Sequence, residues 1–168
     1  MTETENKKEV IIRRAENEDE MAIEIILSTY FLDRDDIPHN DFYVAEVNGK
    51  VVGCAAFVKL KTLKTGVSFY EIHTIAVMPS YKGKGYGKLL LNRLTEEIEK
   101  DRAASLETIS DTIYTRTTAP YFFEHMEFTR AEGIDKKEIW EECVVCNEIN
   151  RCNQTVLIKR LAEKQTQI

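Results

Sequence analysis

The chain has 168 residues, which is enough for one domain with a substantial buried core. Its composition, 43% hydrophobic and 31% charged, is typical of a globular protein, and its formal net charge of −6 argues against nonspecific binding to nucleic acid or anionic membranes. No apolar run approaches the ~20 residues of a membrane span and no apolar signal-peptide core is present, so we expect a soluble, cytoplasmic protein.

The first predicted element is a strand from Val10 to Arg14, which is short, apolar and β-branched. A helix follows, for which Asn17 and Glu20 are the predicted capping pair. The apolar stripe predicted along this helix consists of Met21, Ile25 and Tyr30, with Ile23, Ile26 and Leu27 nearby. We therefore expect a strand followed by an amphipathic helix at the start of the fold.

A predicted hairpin comes next. The strands Phe42 to Val47 and Lys50 to Leu60 flank Asn48-Gly49, which is the strongest short hairpin signal. A third long strand is predicted from Val67 to Val77, and Pro79 ends it.

The second half of the chain begins with an amphipathic helix, predicted from Tyr86 to about Lys100. A strand from Asp111 to Arg116 and a short helix capped by Thr118 follow. The last predicted strands are Phe128 to Ala131 and Val156 to Leu161. We predict a single domain over residues 1–168, with flexible ends at 1–9 and 162–168 and a cysteine-containing segment at 140–155.

The segment from Val77 to Lys88 carries the most functional information, because a strand ends there, a glycine-rich turn follows and a helix begins. Glycines let backbone amides approach a ligand closely, and the helix N-terminus adds unpaired N–H groups and the positive end of its dipole. Lys82 and Lys84 add positive charge. The segment therefore predicts a cradle for a phosphorylated ligand, with a solvated lysine face at a glycine-rich helix entry as the alternative.

Two common phosphate-loop patterns fail in this segment. A nucleoside-triphosphate loop would need glycine at Lys82 and serine or threonine at Leu89. A dinucleotide fingerprint starting at Gly83 would need glycine or alanine at Lys88. The remaining pattern, basic-x-x-Gly-x-Gly after Ile75-Ala76-Val77-x-Pro79, resembles the coenzyme A loop of the GNAT superfamily of N-acetyltransferases, which usually has arginine or glutamine at the first position.

This resemblance implies an α/β (α+β) fold, the GNAT fold, with a central mixed, mostly antiparallel sheet flanked by helices. It implies acetyl-CoA as donor substrate and a small-molecule amine as acceptor, without nucleic acid or membrane as a partner, and it allows a homodimer. The residues it assigns to the donor are Ile75, Ala76, Val77, Lys82, Gly83, Lys84, Gly85, Tyr86, Gly87 and Lys88.

Two further segments extend the resemblance. Residues 118–128 are similar to the family's late motif, with Phe123 at its usual tyrosine and Glu127 at its usual glycine. The segment from Trp140 to Cys146, followed by Cys152, resembles the C-terminus of short N-acetylglutamate synthase-like enzymes of arginine biosynthesis. This similarity makes glutamate a candidate acceptor.

A glutamate acceptor would need cations for its two carboxylates. Arg34, Arg116 and Arg130 are the candidates that the sequence offers, although it does not place them together.

Acetyl transfer requires a base, because an amine is mostly ammonium at neutral pH. Strand alternation places Glu71, His73 and Val77 on one face, and the family resemblance makes Glu71 the expected base. His73 could relay a proton, and the backbone N–H of Val77 could stabilise the oxyanion. Packing and surface roles are the alternatives for Glu71 and His73.

The leaving thiolate needs a proton, and Phe123 cannot donate one. Tyr121 is the predicted replacement, with core packing as the alternative role for this residue. The other options are Tyr114, water, or a thiolate stable enough to leave without a proton.

Other functions remain open at this stage. Acetylation of a protein N-terminus or lysine, or a non-catalytic acetyl-CoA sensor, would use the same fold. Cys143, Cys146 and Cys152 could supply part of a zinc site, but free thiols or a redox-sensitive pair are favoured, and no metal ligand is assigned.

Overall fold

The structure, a computed structural model, describes residues 9–162. The predicted flexible ends lie, apart from residues 9 and 162, outside the described residues. The described residues form two compact units, one made of residues 9–56 and 74–95 and the other of residues 57–73 and 96–162.

Seven strands and five α-helices are present within residues 9–162. The strands are β1 (Val10–Arg14), β2 (Tyr43–Val47), β3 (Lys50–Lys61), β4 (Ser68–Val77), β5 (Ile109–Thr117), β6 (Thr129–Arg130) and β7 (Thr155–Arg160). The helices are α1 (Glu20–Thr29), α2 (Tyr86–Ala104), α3 (Pro120–Glu124), α4 (Lys136–Ile139) and α5 (Glu141–Val144).

The strands form one sheet in the order β1-β2-β3-β4-β5-β7-β6. Neighbours β4 and β5 run parallel, whereas β1–β2, β2–β3, β5–β7 and β6–β7 are antiparallel. The predicted mixed, mostly antiparallel sheet flanked by helices is confirmed. In the described part of the chain, every helix is too short or too polar to cross a membrane.

The predicted hairpin between β2 and β3 is confirmed. Asn48 has φ 50° and Gly49 has φ 81°, so both turn residues are in the left-handed region that a tight two-residue hairpin turn requires. Asparagine and glycine adopt this conformation at the lowest cost.

Helix α1 differs from the prediction in its cap and in its buried face. The reciprocal cap joins Glu16 and Asp19, not Asn17 and Glu20, because a 3₁₀ turn precedes the α-helix. Met21 and Ile25 were expected to face the core, yet they are 74% and 52% exposed. The buried side chains are instead Ile23, Ile26 and Leu27, which lie on another face of the same helix.

Helix α2 confirms the predicted apolar stripe and is longer than expected. Leu90, Leu94 and Ile98 are fully buried, and the helix continues to Ala104. In the first unit the helix lies close to β3 at Gly53, where an added Cβ would be 3.1 Å from the Leu90 Cδ1 and 3.3 Å from the Ala76 carbonyl oxygen. The approach of helix to strand therefore depends on the absence of a side chain at this glycine.

In the second unit one local prediction is wrong and one helical segment was not predicted. Thr118 does not cap α3. The N-cap of α3 is Ala119, whose N–H donates a hydrogen bond to the Thr117 hydroxyl at 2.9 Å. The segment after β6 was not predicted to be helical, but it contains α4 and α5. These helices are four residues long, too short to show a helical apolar period.

Candidate active site

The turn between β4 and α2 forms a backbone cradle. Gly83 has φ 75° and Gly85 has φ 86°, and no heavy atom lies within 4 Å of the Cβ position of either. Glycine is therefore required for its backbone conformation and not for lack of space. The first turn of an α-helix leaves N–H groups without intrahelical acceptors, and in α2 the Leu89 N–H bonds the Gly85 carbonyl at 3.1 Å.

Two lysines and two tyrosines surround the cradle. The Lys82 ammonium is 4.7 Å from the ring centroid of Tyr30, and the Lys84 ammonium is 5.4 Å from that of Tyr81. Both lysines are exposed and positively charged at neutral pH. Glycine backbone, a helix N-terminus and exposed lysines together suit a phosphorylated ligand, which is what the segment was predicted to hold.

The end of β4 is held by two further hydrogen bonds of the first unit. Tyr30 donates its hydroxyl to the Val77 carbonyl at 2.5 Å, and the Met78 N–H bonds the Val52 carbonyl at 2.8 Å. The Val77 carbonyl therefore already accepts a hydrogen bond, and the oxyanion role of the Val77 N–H stays a prediction.

The parallel pairing of β4 with β5 runs from Ser68 to Ile72. At its end the Thr115 hydroxyl donates to the Ile72 carbonyl at 3.0 Å. Ile75 and Val77, two of the residues that the family resemblance assigns to the donor, lie beyond this point on β4.

Glu71 is a buried carboxylate in the second unit, with a side chain only 2% exposed. Its Oε1 accepts a hydrogen bond from the Arg116 Nε at 2.8 Å. Its Oε2 is buried and has no hydrogen-bond partner among the described residues, and the nearest ring nitrogen of His73, Nδ1, lies 3.8 Å away. One carboxylate oxygen is therefore fixed and the other can accept a proton.

The guanidinium of Arg116 is itself enclosed by the C-terminal segment. Its Nη2 donates to Glu142 Oε1 at 2.7 Å, its Nη1 lies 3.7 Å from the Cys143 sulfur, and its Cζ is 4.3 Å from the Trp140 ring centroid. We call these five residues, Glu71, Arg116, Trp140, Glu142 and Cys143, the Arg116 cluster.

Burial in the Arg116 cluster would by itself lower the pKa of the Arg116 guanidinium. The charges of Glu71 and Glu142, and the hydrogen bonds to them, more than offset this and raise it. Arg116 is thus a permanent cation between two carboxylates, and the three groups together carry a net negative charge.

Tyr121, the predicted proton donor, and Phe123, which takes the place of the family's tyrosine, differ in their exposure to solvent. Tyr121 is 71% exposed, so the alternative of core packing is wrong for this residue, and its ring lies 5.6 Å from the Arg130 guanidinium. Phe123 is buried between Phe122 and Phe128, with ring centroids 5.1 Å and 5.3 Å away. The proton-donor role of Tyr121 stays a prediction.

The three arginines suggested for a dicarboxylate acceptor are each paired with a glutamate of the protein. Arg34 lies 3.1 Å from Glu24, and Arg130 lies 3.0 Å from Glu124. Arg116 binds Glu71 and Glu142, as described above. The charge of each of these arginines is therefore already balanced by a carboxylate of the protein.

The C-terminal segment that encloses Arg116 also contains three cysteines, Cys143, Cys146 and Cys152. All four cysteines are free thiols, and residues 9–162 contain no group of three or more His, Cys, Asp or Glu side chains arranged to hold a metal ion. The exposed Cys152 sulfur accepts a hydrogen bond from the Lys136 ammonium at 3.2 Å.

Two of the three thiols of this segment, Cys152 and Cys143, differ in acidity. The backbone at Gln154 and the Lys136 ammonium lower the pKa of Cys152, although partial burial opposes them. Burial raises the pKa of Cys143, in spite of the neighbouring Arg116. Cys152 is therefore the more acidic thiol of the two.

Sequence reasoning missed the role of the Arg116 cluster. Arg116 was considered only as an acceptor ligand, Trp140 only as part of a family-like tail, and Cys143 as part of that tail or of a zinc site. The link between Glu71 and Arg116 depends on strand register, which the structure provides: Tyr114 pairs with Glu71, and Arg116 lies two residues further along β5, on the same face as Tyr114.

Comparison with known proteins decides the family. The sequence matches the Acetyltransferase (GNAT) family over residues 10–128. The chain belongs to this family. As a GNAT protein it is an acetyl-CoA-dependent N-acetyltransferase, and the predicted family, enzyme class and donor are confirmed.

Two relatives of this GNAT enzyme cover most of its length. An uncharacterized N-acetyltransferase of Chlorobaculum tepidum is 30% identical over 122 residues, which span 72% of this chain and 71% of the relative. An amino-acid acetyltransferase of Mycobacterium tuberculosis is 31% identical over 144 residues, which span 79% of this chain and 76% of the relative.

One solved structure supports the GNAT fold. N-acetylglutamate synthase from Neisseria gonorrhoeae, in complex with coenzyme A and N-acetyl-glutamate, has a TM-score of 0.69 and 24% identity. The similarity covers 92% of this chain but 36% of that chain, so this protein spans about a third of the length of the synthase.

Proposed function

We propose that this GNAT enzyme acetylates the primary amine of a small molecule, with an amino acid such as glutamate as the first candidate. The observation that carries the proposal is the buried Glu71 carboxylate, whose Oε1 is held by Arg116 at 2.8 Å while its Oε2 has no partner among the described residues. A carboxylate arranged in this way can take a proton from an amine, directly or through water.

In the proposed reaction the amine nitrogen forms a bond to the acetyl carbon and the carbon–sulfur bond of the thioester breaks. Glu71 receives the proton that the amine loses, and His73 orients water or relays the proton. The backbone N–H of Val77 stabilises the oxyanion. Tyr121, or water, returns a proton to the leaving thiolate. The donor is held by the loop residues 82–88 and by the backbone of residues 75–77.

Two observations support a small amine, such as an amino acid, as the acceptor. Glu71, Arg116 and Glu142 carry a net negative charge, which attracts an ammonium group. The relative from Mycobacterium tuberculosis carries the name amino-acid acetyltransferase. Arg34, Arg116 and Arg130 are each already paired with a glutamate of the protein, so neutral amino acids belong beside glutamate among the candidates.

The test is coenzyme A release measured with a panel of amines: glutamate, other amino acids, lysine-containing peptides and peptides with a free N-terminus. We expect acceptor-dependent release with one or more amino acids and little release with peptides. Glu71→Gln should lower kcat by about 10²- to 10⁴-fold, because an amide cannot accept the proton. Release that no amine stimulates would contradict the proposed transfer, and faster release with peptides would reassign the acceptor.

A further inference from the structure

The connection between Glu71 and the C-terminal segment passes through one side chain. Arg116 is 11% exposed, and it reaches Glu71 through Nε and Glu142 through Nη2, at 2.8 Å and 2.7 Å. Trp140 covers the guanidinium plane. A long side chain that has many rotamers in solution is therefore held in one orientation by three neighbours.

We propose that Arg116 is a positioning residue, which fixes the orientation of the Glu71 carboxylate so that Oε2 faces the acceptor amine. In this inference α5 and its N-cap Trp140 form the support that fixes Arg116 in turn, through Trp140, Glu142 and Cys143. The inference rests on the proposed function, because it assigns to Arg116 no chemistry other than orienting the base.

The way in which the guanidinium is shared supports this role. Arginine commonly binds one carboxylate with two parallel N–H···O bonds, which would occupy both oxygens of Glu71. Here the two donors are divided between Glu71 and Glu142, so Oε2 of Glu71 keeps its lone pairs. An ion pair that served stability alone would leave no buried oxygen without a partner, since an unsatisfied buried acceptor costs free energy.

The support can be weakened without removing the ion pair. Glu142 is 62% exposed, so its truncation should leave the fold intact while freeing one end of the guanidinium. Arg116→Lys keeps the charge but replaces a planar fork by a single ammonium, which cannot keep the same geometry toward both Glu71 and Glu142. Both variants disturb the position of the guanidinium between Glu71 and Glu142, one at Arg116 itself and the other at its partner Glu142.

The experiment measures kcat, the KM for acetyl-CoA and the pH profile for Arg116→Lys and Glu142→Ala, each with and without Glu71→Gln. We expect kcat to fall about 10- to 100-fold in Arg116→Lys, because small misplacements of a catalytic group have effects of this size. A smaller fall is expected in Glu142→Ala, and the KM for acetyl-CoA should change less than about twofold in both. With Glu71→Gln already present, neither change should lower kcat further.

Matched controls are Arg14→Lys, which alters an exposed pair with Asp41, and Glu148→Ala, which alters an exposed pair with Arg151. Both should leave kcat unchanged. If the losses of Arg116→Lys and Glu71→Gln multiply, Arg116 acts independently of Glu71 and the inference is overturned. If Arg116→Lys does not fold, Glu142→Ala decides by the same comparison. A Glu71→Gln enzyme of unchanged kcat would instead refute the general base of the proposed function.

Discussion

The Tyr30 hydroxyl, at the end of α1, donates a hydrogen bond to the backbone carbonyl of Val77, the last residue of β4. The same tyrosine ring lies beneath the Lys82 ammonium at 4.7 Å. One side chain thus contacts both the end of the strand and the first lysine of the donor loop. We therefore expect the position of the loop relative to β4 to depend on the Tyr30 side chain.

Tyr30→Phe should therefore weaken donor binding while the ring and its contact with Lys82 remain. Loss of one hydrogen bond of typical strength, about 1 kcal/mol, corresponds to an increase of about fivefold in the KM for acetyl-CoA. Tyr30→Leu removes the ring as well and should have a larger effect. Steady-state kinetics with varied acetyl-CoA checks this, and an unchanged KM in Tyr30→Phe would show that the hydrogen bond does not position the loop.

Gly85→Ala should destabilise the protein and weaken donor binding together. Its φ of 86° is unfavourable for alanine by about 1–2 kcal/mol, and relaxation of this strain would turn the amides of the cradle. Gly66→Ala is the matched control, since Gly66 has φ 69° and the same open surroundings but lies in another loop. Thermal unfolding should show similar losses for both, whereas the KM for acetyl-CoA should rise in Gly85→Ala alone. Equal KM values would place the phosphates elsewhere.

Cys152 should react with iodoacetamide faster than Cys143. The pKa of Cys152 is lowered, so a larger fraction is thiolate at neutral pH, whereas burial raises the pKa of Cys143 and also shields it. Peptide mapping after timed alkylation between pH 6 and 8, values chosen to bracket the change in thiolate fraction, measures both rates. Lys136→Ala should slow the reaction of Cys152, because it removes the 3.2 Å hydrogen bond to sulfur. Equal rates in the two proteins would show that Lys136 does not activate the thiol.

Asp19 should make stability depend on pH in the acid range. The hydrogen bond from Arg13 at 2.6 Å lowers the pKa of Asp19 in the folded state, against the effect of burial. Its contribution to stability is therefore complete above the unfolded pKa of about 4 and is lost as the pH falls through the lower folded pKa.

Urea unfolding at a series of pH values tests the role of Asp19. Asp19→Asn should cost about 1.5–3 kcal/mol at neutral pH and should flatten the acid dependence. Asp41→Asn, in an exposed pair with Arg14, should do neither. An acid dependence that persists in Asp19→Asn would assign it to other carboxylates.

Features that depend on adjacent residues were predicted well from the sequence. The hairpin at Asn48-Gly49 needs two residues that tolerate positive φ, and this pair is the one that provides them most readily. The glycine loop could be assigned because strand, turn and helix follow one another directly along the chain. For α1, apolar residues on several faces left the buried face undecided, and Met21 and Ile25 were assigned to the wrong one.

Features that depend on distant residues could not be predicted in the same way. The partner of Glu71 lies 45 residues further along the chain, and no local period connects the two. At Glu127 the family-like glycine is replaced, yet the residue still adopts φ 68°. The left-handed turn is thus imposed by its surroundings, although the local sequence argues against it.

Gly53 connects the proposed donor loop to the packing of residues in the interior of the first unit. Because Leu90 of α2 and the backbone of Ala76 lie within 3.3 Å of the position of its missing Cβ, even one methyl group there would require them to move by a few tenths of an ångström. The start of α2 carries the amides of the proposed donor loop, so we expect the affinity for acetyl-CoA to change when packing around Gly53 changes. Substitutions that change the affinity for acetyl-CoA should therefore occur in the interior of the protein as well as in the loop.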